Sequence, residues 1–141
     1  MKELPDSRIV LSCSEPFILI WSSEKEGKNS LEAIDVDTSI ISCIELSDDT
    51  IFAGCEDGNI KHYNSTGQEL IRELGSHSGK VTVMEVIGGI LVTTGEDKRV
   101  CIWNSESGEK LTQFNTDHVI NSFTADAAKC LLIGTSESGH I

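Results

Sequence analysis

Short apolar runs rich in Ile, Val, Leu and Phe recur along the chain, each bounded by Gly, Asp, Asn or Ser, which is the pattern of short strands separated by tight turns. The clearest stretch predicts a strand from Val81 to Ile87, a turn at Gly88-Gly89 and a second strand from Ile90 to Gly95. A turn at Glu96-Asp97-Lys98, a third strand from Arg99 to Trp103 and a fourth from Lys110 to Phe114 complete it. The same order is expected one unit earlier, with turns at Ser47-Asp48-Asp49 and Asp57-Gly58 and a last strand from Gln68 to Leu74. Asp-Gly between two apolar runs favours a hairpin, because a tight loop needs a residue that accepts positive φ. No long segment keeps a 3.6-residue period, so helices are not expected in the core and the chain reads as all-β.

Three stretches superimpose without a gap: Glu3 to Trp21, Glu45 to Tyr63 and Glu85 to Trp103, offset by 42 residues and then by 40. In that register Leu4, Leu46 and Val86 coincide, as do Ile9, Ile51 and Leu91, then Ile18, Ile60 and Val100, and finally Trp21, Tyr63 and Trp103. Units of this length cannot bury their apolar faces alone and must stack on one another.

Four antiparallel strands per unit, with an aromatic residue closing the third, mark a propeller blade rather than a sandwich. The run Leu91-Val92-Thr93-Thr94-Gly95-Glu96-Asp97-Lys98-Arg99-Val100-Cys101-Ile102-Trp103-Asn104, preceded by Gly75-Ser76-His77 and Val81, resembles the WD-repeat (WD40) family. That family carries Gly-His before the first strand of a repeat and Trp-Asp at the end of the third. Here Ser76 precedes His77 and Asn104 follows Trp103. The unit around Tyr63 keeps Asp57 but has Asp37 near the His position, and the first keeps Trp21 with Glu15 at the Asp position. The resemblance implies a WD40-type β-propeller of about three and a half four-stranded antiparallel blades, an incomplete ring, over residues 1–141. Its units fall at about 1–42, 43–82 and 83–122, with 123–141 incomplete. Because closed propellers have roughly four to eight blades, the ring is expected to need further blades from a longer form of the same chain or from another chain.

Charge narrows the partners. With 23 acidic against 11 basic residues the formal charge is −12. A phosphate-backbone ligand needs a basic patch, so nucleic acid is not expected and a charged partner should be basic. The three arginines Arg8, Arg72 and Arg99 fall in separate units, whereas phosphopeptide recognition needs them clustered. The five cysteines Cys13, Cys43, Cys55, Cys101 and Cys130 include no C-x-x-C pair, and Cys13 and Cys55 occupy one place in the repeat, as small packing residues do. A reducing compartment fits them. The segment Ile9 to Trp21 is broken by Ser12, Ser14, Glu15 and Pro16 and reads as neither signal peptide nor membrane span, which leaves the cytoplasm or the nucleus. No cofactor or metal is expected: His62, His118 and His140 each lack a second ligand at a metal-binding spacing, and there is no phosphate-binding Gly-rich loop.

Two constellations carry candidate chemistry. Placed on the repeat pattern, His77, Thr93, Asp97 and Trp103 converge at one edge of a blade. His, Asp and a hydroxyl together suit a hydrolase. In similar WD repeats, however, the equivalent residues form a buried hydrogen-bond network, and the resemblance implies that structural role here. Leu11 and Ala53 stand at the Thr93 place in the other units, which therefore cannot build it. The second constellation is an acidic rim of Asp37, Glu56, Asp57 and Glu96, tuned by Lys98 and Arg99, able to steer a basic peptide; the simpler reading is that these are solvated turns in which Asp57 and Asp97 cap hairpins. The resemblance implies a non-catalytic interaction platform that holds protein or peptide partners, expected to be part of a longer propeller protein. An enzyme or ligand-binding propeller with its site in other blades, or a nonfunctional remnant, are the competing readings.

Overall fold

The computed structural model describes residues 2–3, 8–12, 16–23, 29–36, 39–48, 50–64, 69–126 and 131–136. The described residues form fourteen strands and no helix, and the strands make antiparallel sheets in strict sequence order. The first sheet holds β1 (Lys2–Glu3), β2 (Ile9–Ser12), β3 (Phe17–Ser23) and β4 (Asn29–Asp35). The second holds β5 (Ile41–Ser47), β6 (Thr50–Cys55), β7 (Asn59–Asn64) and β8 (Leu70–Ser76). The third holds β9 (Val81–Ile87), β10 (Ile90–Gly95), β11 (Arg99–Asn104) and β12 (Lys110–Asn115). In the fourth, β13 (Ile120–Asp126) pairs with β14 (Leu131–Ser136).

The register of the repeat is the register of the sheets. Ile9 pairs with Trp21, Ile51 with Tyr63 and Leu91 with Trp103, at one place in three successive sheets. Turn hydrogen bonds repeat as well. The Glu56 amide donates to the Ile40 carbonyl (2.8 Å) and the Glu96 amide to the Lys80 carbonyl (2.9 Å). Gly58 donates to Cys55 and Lys98 to Gly95, both at 3.1 Å. Gly58 (φ 93°) and Lys98 (φ 59°) therefore hold the same left-handed turn position. The strands of the third sheet fall where the pattern predicts them. In the second sheet β8 ends at Ser76, two residues beyond the expected Leu74, because bulges between Ile60 and Lys61 and between His62 and Tyr63 shift its pairing with β7; the expected start at Gln68 lies outside the described residues.

Burial divides each sheet between two neighbours. One core cluster joins Val10, Ile18, Ile20 and Val36 to Ile41, Ile51, Ala53 and Tyr63, between the first and second sheets. A second joins Phe52 and Ile60 to Val81, Met84, Leu91, Cys101 and Trp103, between the second and third. Because side chains alternate along a strand, Ile51, Ala53 and Tyr63 face one neighbour while Phe52 and Ile60 face the other. This two-sided burial is why successive residues from Ile51 to Cys55 are all buried.

Candidate functional site: a closed polar network and an acidic turn face

His77, Thr93, Asp97 and Trp103 are brought together. His77 precedes β9, Thr93 lies in β10, Asp97 in the following turn and Trp103 in β11. The Trp103 Nε1–H donates to Thr93 Oγ1 (3.0 Å), and Thr93 Oγ1 lies 2.9 Å from His77 Nε2. His77 Nδ1 stands 2.9 Å and 3.2 Å from the two oxygens of Asp97. One proton ordering satisfies the whole chain: Trp103 donates to Thr93, Thr93 to His77 Nε2, and His77 Nδ1–H to the Asp97 carboxylate. His77 is 2 % exposed, Thr93 0 % and Trp103 1 %.

Asp97 is the anchor. It also accepts from the Ser78 amide (2.9 Å), the Arg99 amide (3.1 Å) and Arg99 Nε (2.7 Å). Burial by itself raises a carboxyl's pKa, but the Ser78 amide, His77 and Arg99 overcome it and hold Asp97 at about 2. Burial lowers the His77 pKa against the opposing pull of Asp97, so neutral imidazole is favoured. Close packing surrounds the network. A Cβ on Gly95 would lie 2.7 Å from His77 Nδ1, and one on Gly75 2.8 Å from the Trp103 ring, so only glycine leaves room at either place.

The acidic turns gather at one end of the sheets. Glu56, Asp57, Glu96 and Lys98 are solvent-exposed and Arg99 half-buried, while Asp37 lies outside the described residues. Asp57 accepts from the Asn59 amide (3.0 Å), the Asn59 side chain (2.9 Å) and the Ser39 hydroxyl. Burial raises its pKa, and these donors with Lys61 more than offset that, leaving it below the usual carboxylate value. Asp57 and Asp97 each cap their hairpin through the amide two residues on. Arg99 is committed to Asp97 and, through Nη2, to the Ser78 hydroxyl at 3.0 Å. Glu56 and Glu96 remain as outward carboxylates, with Lys80 between their turns paired to Glu56 at 3.4 Å. Lys80 was not legible from the repeat pattern, because its role depends on a turn in the preceding sheet. Among the described residues no group of three or more His, Cys, Asp or Glu side chains is arranged to hold a metal ion.

The comparisons with known proteins agree with this geometry. The family model described as "WD domain, G-beta repeat" matches residues 68–104, the span from the end of one sheet to Asn104. Cell division control protein 4 of Saccharomyces cerevisiae is 32% identical over 72 residues, covering 50% of this chain and 9% of that protein. The U3 small nucleolar RNA-associated protein 21 homolog of Schizosaccharomyces pombe is 28% identical over 121 residues, covering 84% of this chain and 13% of that protein. The chain thus spans about a tenth of the length of these curated relatives. A chain in the crystal structure of a mitotic checkpoint complex superimposes with a TM-score of 0.82 at 17% identity, over 96% of this chain and 43% of that one, a likeness of fold. Blade-like sheets in sequence order, the Trp103-centred repeat and these relatives point the same way: residues 68–104 match a WD40 repeat, and the chain is similar to WD40-repeat proteins.

Proposed function

We propose that this chain is part of a non-catalytic protein-interaction platform whose acidic turn face steers a basic peptide segment of a partner. The observation that carries the reading is the contrast between the two constellations. Thr93 has its hydroxyl shared between His77 and Trp103 and is wholly buried, so the hydroxyl, imidazole and carboxylate that could make a nucleophile are spent on one another. Glu56 and Glu96 by contrast project from equivalent turns of neighbouring sheets, on a chain of charge −12. Opposite charge on a partner accelerates encounter with such a face and makes it salt-sensitive. Protein partners are also what WD repeats suggest in general.

The rim consists of Glu56 and Glu96, with Asp37 as a further member by sequence. Asp57 shapes the turn, and Lys80 and Lys98 limit how much positive charge the face accepts. The test is a pull-down at low salt with the double variant Glu56→Lys/Glu96→Lys. Association that weakens sharply, and whose salt dependence flattens, supports the rim; association unchanged at low salt ends it. Esterase activity that disappeared on Thr93→Ala would overturn the non-catalytic reading.

A further inference from the structure

At the sheet ends opposite the acidic turns, a cavity of about 480 Å³ opens between the second and third sheets. It is bordered by the turn at Asp48, the turn at Gly89 and the turn at Ser105 and Glu106. His62 and Arg72 line it, directly paired across β7 and β8. The His62 ring stacks on Phe52, with centroids 4.1 Å apart and planes at 12°. His62 is only 4 % exposed, and neither of its ring nitrogens has a hydrogen-bond partner. Leaving two polar atoms of one buried side chain unsatisfied is unusual and needs a cause.

The repeat shows how specific this placement is. The row Phe52–His62–Arg72 crosses the second sheet where Val92–Ile102–Thr112 crosses the third and Val10–Ile20–Glu32 the first. Isoleucine is therefore sufficient for the fold at this position. Among these three sheets the second alone replaces it with an imidazole, and there alone does the neighbouring strand add a guanidinium.

The geometry points to a binding site for one carboxylate of a partner protein, held by Arg72 and a ring N–H of His62 on the floor of this cavity. Arg72 Nη1 already donates to the Ser107 carbonyl, which fixes the guanidinium beside the cavity. A guanidinium and a neutral imidazole offer the directed donors that a carboxylate accepts. The exposed acids Asp48 and Glu106 at the border repel a phosphate dianion more strongly than a carboxylate monoanion, and they suit a carboxylate that is followed by a polar or basic group. The source can be an Asp or Glu side chain or a chain terminus. The site rests on the platform reading only for its macromolecular partner and does not involve the acidic rim.

The test follows the His62 ring nitrogens of the purified protein by NMR during titration with small carboxylates. N-acetyl-glutamic acid α-amide represents the side chain, N-acetyl-alanine the terminus, and N-acetyl-glutamine amide is the uncharged control. Saturable shifts with either carboxylate but not with the carboxamide, weakened about tenfold or more by Arg72→Gln, are the expected result. The more effective carboxylate identifies the source. His62→Ile should keep the dispersed spectrum and lose saturable shifts at Thr50 and Ser105. Equal response to the carboxamide, no response to either carboxylate, or stronger binding of inorganic phosphate than of both would overturn the site. Charge reversal at Glu56 and Glu96 should leave the titration unchanged, so failure of the rim and failure of this site are separable.

Discussion

Ser42 donates its hydroxyl proton to the Val81 carbonyl at 2.5 Å, tying the first strand of the second sheet to the first strand of the third. Forty residues later Thr82 donates to the Ile120 carbonyl at 2.7 Å, tying the third sheet to the fourth. The sheets are thus joined by a repeated hydroxyl clasp as well as by apolar packing. Ser42→Ala and Thr82→Val should each lower stability by about 1 kcal/mol. The loss is limited because Cys43 Sγ also approaches Val81 and Thr94 Oγ1 also approaches Ile120. Amide hydrogen exchange should accelerate at the affected boundary and not at the other; uniform acceleration across the chain would contradict a local clasp.

The turn position shared by Gly58 and Lys98 gives opposite expectations at its two occurrences. Lys98 carries a side chain at φ 59°, a conformation that costs a non-glycine residue about 1 kcal/mol, so Lys98→Gly should stabilise by a few tenths to about 1 kcal/mol. At Gly58 a Cβ would lie 2.1 Å from the His77 carbonyl oxygen, and Gly58→Ala should destabilise by about 2 kcal/mol or more. Denaturant melts of the two variants check the pair of signs.

Much of this fold is legible because the repeat registers are hydrogen-bond registers. Aligning Trp21, Tyr63 and Trp103 in sequence places three cross-strand pairs correctly, and the positive-φ demand at Asp57-Gly58 marks its turn. What escapes a sequence reading is contact between units. Ser42 and Thr82 stand 40 residues apart, which is a signal, but their acceptors are backbone carbonyls of the next sheet and leave no side-chain trace. Lys80 is hidden for the same reason, since Glu56 belongs to another unit. His62 reads as an isolated histidine because nothing near it in sequence is a ligand; its meaning emerges only when Ile20 and Ile102 are set beside it in the sheets. The β8 offset arises from two bulges that local periodicity does not mark.

The Asp97 network should be visible in acid. Its carboxyl sits near pKa 2 in the folded protein and near 3.8 when unfolded, so the stabilisation is complete above about pH 4 and is lost as pH falls towards 2. That difference is on the order of 2 kcal/mol. Asp97→Asn should remove this acid limb and lower stability at neutral pH, because an amide cannot match a carboxylate as acceptor for His77, Ser78 and Arg99. Thr93→Val should also destabilise, by about 1–3 kcal/mol, by leaving the Trp103 indole and His77 Nε2 buried without partners. An unchanged pH profile in Asp97→Asn would mean that the carboxylate contributes little to folding.

His62 governs a different pH window. Burial first, and the Arg72 charge second, push its pKa down to about 4, so the folded state excludes a proton that the unfolded chain binds below about 6.5. The folded state therefore holds its full advantage above that value and loses it as pH falls from about 6.5 towards 4, a change on the order of 3 kcal/mol. His77, also lowered by burial, adds to the same limb. His62→Ile should flatten most of the limb and raise stability at neutral pH by about 1–3 kcal/mol, since two unsatisfied buried nitrogens are replaced by the residue the neighbouring sheets use. Thermal melts across pH 4–7 in wild type and variant make the comparison. A variant no more stable than wild type at pH 7 would mean that the imidazole is satisfied within the fold. A more stable variant that has lost carboxylate binding would show stability given up at one place in a repeat to make room for a ligand.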